Sequence, residues 1–229
     1  MSIPLFFAMT GAEIQKNAVL PSRIAWMSCH FSPYGPGLVD LPWKLPPDSM
    51  LILDDRIPLN GHNEVFIARQ LAQAVEELRC RYLLLDLQRE GADTLVQEIS
   101  QTVPCPIGVP PHYAKDLDCP VFLPPVPLNV PMEEYFRPWG KRQIWLEVAL
   151  DGADIIVTGT GSTVTPVPFP ELPKQAHPES ALNCHYSVKV EPEQIRFSLF
   201  RTLEDVQNLL HHAQQFNVTL SAGLFQEFY

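Results

Sequence analysis

Apolar residues along this chain follow two rhythms. The runs Met50-Leu51-Ile52-Leu53 and Tyr82-Leu83-Leu84-Leu85 are apolar at successive positions, as expected for parallel strands covered on both faces. Between them, Val65, Ala68, Leu71, Ala72, Val75 and Leu78 recur at helical spacing after a capping Asn63, so residues 64–79 are predicted to form a helix. Strand, helix and strand in that order make a parallel crossover unit. Residues 3–9, 23–29, 107–109 and 121–123 read as further buried strands, and residues 12–19 as a short helix. A helix at about 93–102 carries Leu95, Val96 and Ile99 on one face. Thr202 caps a last helix, with Asp205 in its first turn and Leu203, Val206, Leu209, Leu210, Ala213 and Phe216 as its apolar stripe. Asn217 ends it, and residues 218–224 form a closing strand.

The rhythm breaks in the last third. Residues 143–150 and 153–158 flank Asp151-Gly152, a hairpin signal. Residues 159–183 read as a long Gly-, Thr- and Pro-rich loop, functional or mobile. Residues 186–190 and 195–200 alternate as half-exposed antiparallel strands do. Asn60-Gly61 is a turn signal ahead of the first long helix. Together these elements predict an α/β fold, a TIM-like (β/α)8 barrel of one domain over residues 1–229, with a β-hairpin insertion at about 143–191. A doubly wound sheet is the competing architecture, but no G-x-G-x-x-G or Walker lysine follows a strand.

Composition narrows the partners. The net charge is -10 and basic residues form no run, which argues against nucleic acid and anionic membrane. The 24 prolines gather in connections such as Pro110-Pro111 and Pro124-Pro125-Val126-Pro127, rigid extended links rather than helices. Five cysteines without a C-x-x-C spacing suit reduced thiols in a cytoplasmic protein. The apolar start, residues 3–9, lacks the cationic lead and length of a signal peptide, and no run reaches the ~20 residues of a spanning helix. The composition does not indicate oligomeric state, and no spacing calls for a cofactor.

Chemistry is expected at the carboxyl ends of the strands, where barrels of this kind place it. Asp86, Gln88 and Glu90 follow one buried strand at alternate positions, and Asp54-Asp55-Arg56 follow another. One of Asp54 and Asp55 must face the barrel axis, because successive side chains alternate. Close carboxylates raise one pKa and create an acid/base pair. His30, beside Phe31 and Tyr34 after the second strand, and His112-Tyr113 after the strand at 107–109 are candidate binding residues. Glu147 points inward if its strand belongs to the barrel, and is a surface charge if the strand belongs to the hairpin. The Asp-Gly pair favours the surface placement. Each residue also has a structural alternative: Asp86 and Gln88 cap a strand and pin a loop, and the histidines serve as hydrogen-bonded supports. Trp26, Phe31, Tyr34, Trp43, Tyr113 and Trp139 either stack on a ligand or fill the core beneath the loops. Asp54, Asp86, His30 and His112 are a conceivable cation set, but no H-x-H or H-E-x-x-H spacing supports a metal.

The strand ending in Asp86 is the fourth counted from Ile3, and its tail resembles a motif of family 18 glycoside hydrolases. These are barrels whose fourth strand carries D-x-x-D-x-D-x-E, with the final Glu as proton donor. Asp86-Leu87-Gln88 is similar to the last D-x-E, with Gln88 in the donor's place and Leu84 and Arg81 where the upstream acids stand. An amide has no acidic proton for a glycosidic oxygen. The resemblance therefore implies a barrel that binds, and hydrolyses only with another donor, a saccharide. Asp86, Glu90, Asp54 and Glu147 become the catalytic candidates, and Gln88, Asp55, His30, Tyr34, His112 and Tyr113 the substrate-binding ones. Non-catalytic sugar-binding relatives lose the acid in a comparable way. A partner-binding or structural barrel, and a cation-dependent hydrolase or lyase, are the alternatives from other classes.

Overall fold

A computed structural model describes residues 2–59, 63–167 and 175–229. In chain order the elements are β1 (Leu5–Met9), α1 (Gly11–Lys16), β2 (Ile24–Phe31), β3 (Leu38–Val39), β4 (Met50–Asp54), α2 (Glu64–Glu77) and β5 (Tyr82–Asp86). Then come α3 (Asp93–Thr102), β6 (Ile107–Gly108), β7 (Val121–Leu123), α4 (Met132–Phe136) and β8 (Ile144–Glu147). A separate group follows, β9 (Gly152–Thr158), β10 (Gly161–Val167), β11 (His177–Glu179), β12 (Cys184–Glu191) and β13 (Gln194–Phe200). The chain ends in α5 (Leu203–Ala213), β14 (Val218–Leu224) and α6 (Phe225–Phe228).

Eight strands form one parallel sheet in the order β6-β5-β4-β2-β1-β14-β8-β7, with β3 antiparallel on β2. The two ends of this row meet. Val109 bridges Val121, the Phe122 amide donates to the Val109 carbonyl at 2.7 Å, and the Val109 amide donates to the Pro120 carbonyl at 3.1 Å. This bridge nearly closes the row, and the result is a TIM-like barrel. The helices α2 and α3 lie outside β4 and β5. Ile67, Leu71, Leu95 and Ile99 pack there against Leu51, Leu53, Leu83 and Leu85. Asn63 Oδ1 accepts from the Phe66 amide and starts α2. Thr202 and Asp205 form a reciprocal capping box at α5, and Asn217, at φ 61°, turns the chain into β14.

The barrel interior is a second core. Phe6, Ala8, Ala25, Met50, Ile52, Leu84, Trp145 and Leu220 fill it. Tyr82 meets Phe6 and Trp145 edge-on at 5.4 and 5.5 Å. The Trp145 ring lies flush against Gly108: a Cβ there would sit 2.2 Å from Trp145 Cε3. Alternation along each strand then sets what reaches the mouth. The inward series Met50-Ile52 ends in Asp54, Tyr82-Leu84 in Asp86, and Trp145 in Glu147.

The insertion differs from its expected form. Asp151-Gly152 does not turn a hairpin: β8 is a barrel strand, parallel to β7 and β14, while β9 pairs antiparallel with β10 and β13. The insertion is a five-stranded antiparallel sheet, β10-β9-β13-β12-β11, running on to Phe200 rather than stopping near residue 191. Much of the expected 159–183 loop is the strands β10 and β11. Residues 168–174 of that loop and the Asn60-Gly61 turn lie outside the described residues. One face of the sheet packs Cys184 and Leu199 on Leu128. His185 Nδ1 sits 2.7 Å from Asp205 Oδ2 and ties the sheet to the start of α5.

Candidate active site at the barrel mouth

Asp54 and Asp86 stand opposite each other in register on the neighbouring strands β4 and β5, about 4.8 Å apart by strand spacing. Glu147 stands at the end of β8, three strands round the barrel from β5, and so faces them across the mouth. The three carboxylates line one small cavity, whose other walls include Met27, Ile52, Leu84, Phe122 and Leu224. Its volume is about 80 Å³, room for a few water molecules at ~30 Å³ each.

The three acids have different surroundings. Asp54 is held on both sides: His30 Nδ1 lies 2.8 Å from Oδ1, and Arg56 Nη2 donates to Oδ2 at 2.6 Å. Its negative charge is matched and its orientation fixed. Asp86 accepts one side-chain hydrogen bond, from Gln88 Nε2 at 2.5 Å. Burial raises its pKa, and the charges of Asp54 and Asp55 add to the rise, while the Gln88 bond and Arg56 oppose it. Glu147 receives no hydrogen bond among the described residues. Burial, followed by the negative charges of Asp86, Glu227 and Asp151, pushes its pKa up to about 7. Near neutral pH this arrangement supplies a carboxylic acid facing carboxylates in a partly apolar pocket, the chemistry of a proton donor with a base or stabilising anion.

Glu147 therefore corrects the expectation of a surface charge. Its strand closes the barrel, and a closed barrel turns alternate residues inward whatever turn signal follows. Asp55 is also displaced from its expected role. It is buried, points away from the axis, and accepts the Arg89 amide at 2.7 Å. Tyr113 is its counterpart: its hydroxyl donates to the Arg89 carbonyl and accepts the Ala92 amide at 3.1 Å. Both residues pin the 87–92 loop from outside the mouth. His112 sits beside Tyr113, its ring tilted by 49° with centroids 4.2 Å apart, and likewise does not line the cavity. Tyr34 is 95% exposed on the turn after β2, and is not part of the cavity wall. Glu90 is exposed on the same 87–92 loop, beyond the reach of strand alternation. Gln88 and His30 touch the site through Asp86 and Asp54.

Two further residues bear on Glu147. Tyr135 donates its hydroxyl to the Pro124 carbonyl at 2.7 Å, and burial and then the Glu147 charge push its pKa up. Glu227 Oε2 accepts the Leu150 amide at 3.0 Å, holding the exit of β8. Proximity of residues 135 and 227 to residue 147 comes from barrel closure, and no spacing reports it. Among the described residues, no three His, Cys, Asp or Glu side chains gather as a metal-binding set. No described helix is long and apolar enough to cross a membrane.

No protein-family model matches the chain, and no curated protein sequence does. Solved structures do match in fold. A glycoside hydrolase family 18 N-acetylglucosaminidase from Paenibacillus barengoltzii superposes with a TM-score of 0.63 at 9% identity, over 96% of this chain and 94% of that one. The chitinase-like agglutinin from Robinia pseudoacacia gives 0.59 at 12% identity, over 95% and 93%. A class V chitinase from Nicotiana tobaccum, in complex with NAG4, gives 0.58 at 10% identity, over 97% and 93%. The barrel is thus a family-18-like fold.

Proposed function

We propose that this protein binds a saccharide over the carboxyl-terminal mouth of its barrel and hydrolyses it with an acid from the seventh barrel strand. The observation that carries the proposal is the convergence of Asp54, Asp86 and Glu147 on one cavity in a barrel of family-18-like fold. Glu147 is the proton donor, because it alone of the three is left without a hydrogen bond and holds a proton close to neutral pH. Asp86 is the base or stabilising anion, steadied by Gln88. Asp54, clamped by His30 and Arg56, orients the ligand. Glu90 supplies a charge at the rim. N-acetylglucosamine oligomers are the first ligands to try, since one structural neighbour is an N-acetylglucosaminidase and another holds NAG4.

A sugar-binding protein without hydrolysis is the second reading. Gln88 favours it, because an amide stands where the fourth-strand donor is expected, and one structural neighbour is a chitinase-like agglutinin. Five free cysteines suit a reducing compartment, which supports a cytoplasmic setting for either reading.

An oligosaccharide array followed by thermal shift, with Asp86→Ala and Glu147→Gln as controls, tests the proposal. Binding abolished by Asp86→Ala supports the site, and hydrolysis abolished by Glu147→Gln with binding retained assigns the donor. Binding without hydrolysis in the native chain selects the second reading. Binding untouched by Asp86→Ala removes the mouth from consideration.

A further inference from the structure

At the opposite pole of the barrel, where strands begin, the local charge has the other sign. A cavity of about 510 Å³ opens there beneath the amino ends of β1, β2 and β5. It falls within the ~300–1,000 Å³ of small-molecule sites, unlike the space between the carboxylates. Phe6, which is buried, and Tyr82, half-buried, form its apolar floor. Arg23 and Arg81 stand at its wall, with Ser2 and Ser22 beside them.

Acidic residues outnumber Lys and Arg 26 to 16, and Arg56, Arg142, Arg196 and Arg201 each engage a carboxylate or carbonyl. Arg23 and Arg81 belong to a group of five arginines, with Arg69, Arg79 and Arg137, whose guanidinium groups have no ion pair or hydrogen bond among the described residues, and of these five they are the two that share a cavity wall. Arg81 lies over the Tyr82 ring, its Cζ 5.6 Å from the centroid, which presets its position. The Tyr82 hydroxyl likewise has no hydrogen-bond partner among the described residues, and is not sealed off from the opening. Asp48 is the one carboxylate in the lining. The cavity is therefore rich in donors, poor in acceptors and floored by rings.

We infer that this amino-terminal cavity binds a small ligand that carries an oxyanion, phosphate or carboxylate, on a flat apolar ring. The ring lies on Tyr82, the half-buried ring of the floor. The oxyanion sits between Arg23 and Arg81, whose planar forks match oxyanion geometry, with the Tyr82 and Ser22 hydroxyls as further donors. The site is separate from the carboxylate mouth and does not depend on the saccharide reading.

Titration of the full chain with phenyl phosphate, benzoate, phenol and inorganic phosphate, followed by NMR or calorimetry, tests this. Saturable binding of phenyl phosphate or benzoate is expected, and which of the two binds identifies the oxyanion. The double variant Arg23→Gln/Arg81→Gln should weaken it about tenfold or more, while Asp86→Ala leaves it unchanged. Both arginines are exposed, so the variant keeps the fold, which its thermal midpoint checks. Absence of saturable binding, binding indifferent to the double variant, or phenol and inorganic phosphate binding as tightly as phenyl phosphate would each overturn the inference.

Discussion

The side-chain amide of Gln88 donates to Asp86 Oδ1 at 2.5 Å, across a two-residue step at the end of β5. The bond holds the Asp86 carboxylate and lowers a pKa that burial raises. It also marks the position where an acid would make a second proton donor.

Replacing that amide tests the position directly. Gln88→Glu puts two carboxyl groups in hydrogen-bond contact, so they share one proton near neutral pH. The expected outcome is a gain of hydrolysis on whichever oligosaccharide the native chain binds, measured by product release. Unchanged hydrolysis would count against Gln88 as the aligned donor position.

Glu147 makes stability depend on pH with a definite sign. Its pKa is raised from 4.5 to about 7, so ionising it is harder in the folded chain than in the unfolded one. Stability is then lost as pH rises from the unfolded value through the folded one. The loss is complete above both, and amounts to at most roughly 3.5 kcal/mol at ~1.4 kcal/mol per unit. Glu147→Gln removes the ionisation, so it should raise the thermal midpoint near pH ~8 and leave it almost unchanged near pH ~4. Equal midpoints for the two proteins across this range would show that Glu147 is not perturbed.

Tyr113 separates loop support from ligand contact. Its hydroxyl bridges the Arg89 carbonyl and the Ala92 amide, so Tyr113→Phe should destabilise the chain by about 1–2 kcal/mol in denaturant titrations. Hydrogen exchange at Ala92 should quicken, and saccharide affinity should stay the same. A fall in affinity with no change in stability would return Tyr113 to the binding site.

Gly108 reports on the packing of the barrel interior. A methyl group there would meet Trp145 Cε3 at 2.2 Å, and the ring is wedged against Tyr82. Gly108→Ala should cost about 1–3 kcal/mol, seen in the denaturation midpoint together with a shift in Trp145 fluorescence. A neutral effect would mean that the interior can repack freely around the indole.

Much of the fold was legible from local pattern. The runs at 50–53 and 82–85 announce strands covered on both sides, the Val65-to-Leu78 spacing announces α2, and residues 93–102 form α3 where the periodicity puts it. Asp54 and Asp86 could be placed at strand ends because apolar runs stop there. Which of Asp54 and Asp55 faces the axis could not be told, since alternation gives two registers and only packing against the outer layer chooses between them.

Glu147 shows where local pattern runs out. The Asp151-Gly152 pair that follows it is as good a hairpin signal as any in the chain, yet β8 pairs with β7 and β14, strands distant in sequence. Pairing of that kind has its free energy in closing the barrel and burying Trp145, terms no short window contains. Periodicity thus accounts for the barrel strands, the long helices and two of the three mouth carboxylates. The third carboxylate, the proximity of Tyr135 and Glu227 to it, and the unpaired arginines at the far pole arise from contacts made when the sheet closes on itself. Alternation says that a side chain has a face, and the closed barrel says what that face meets.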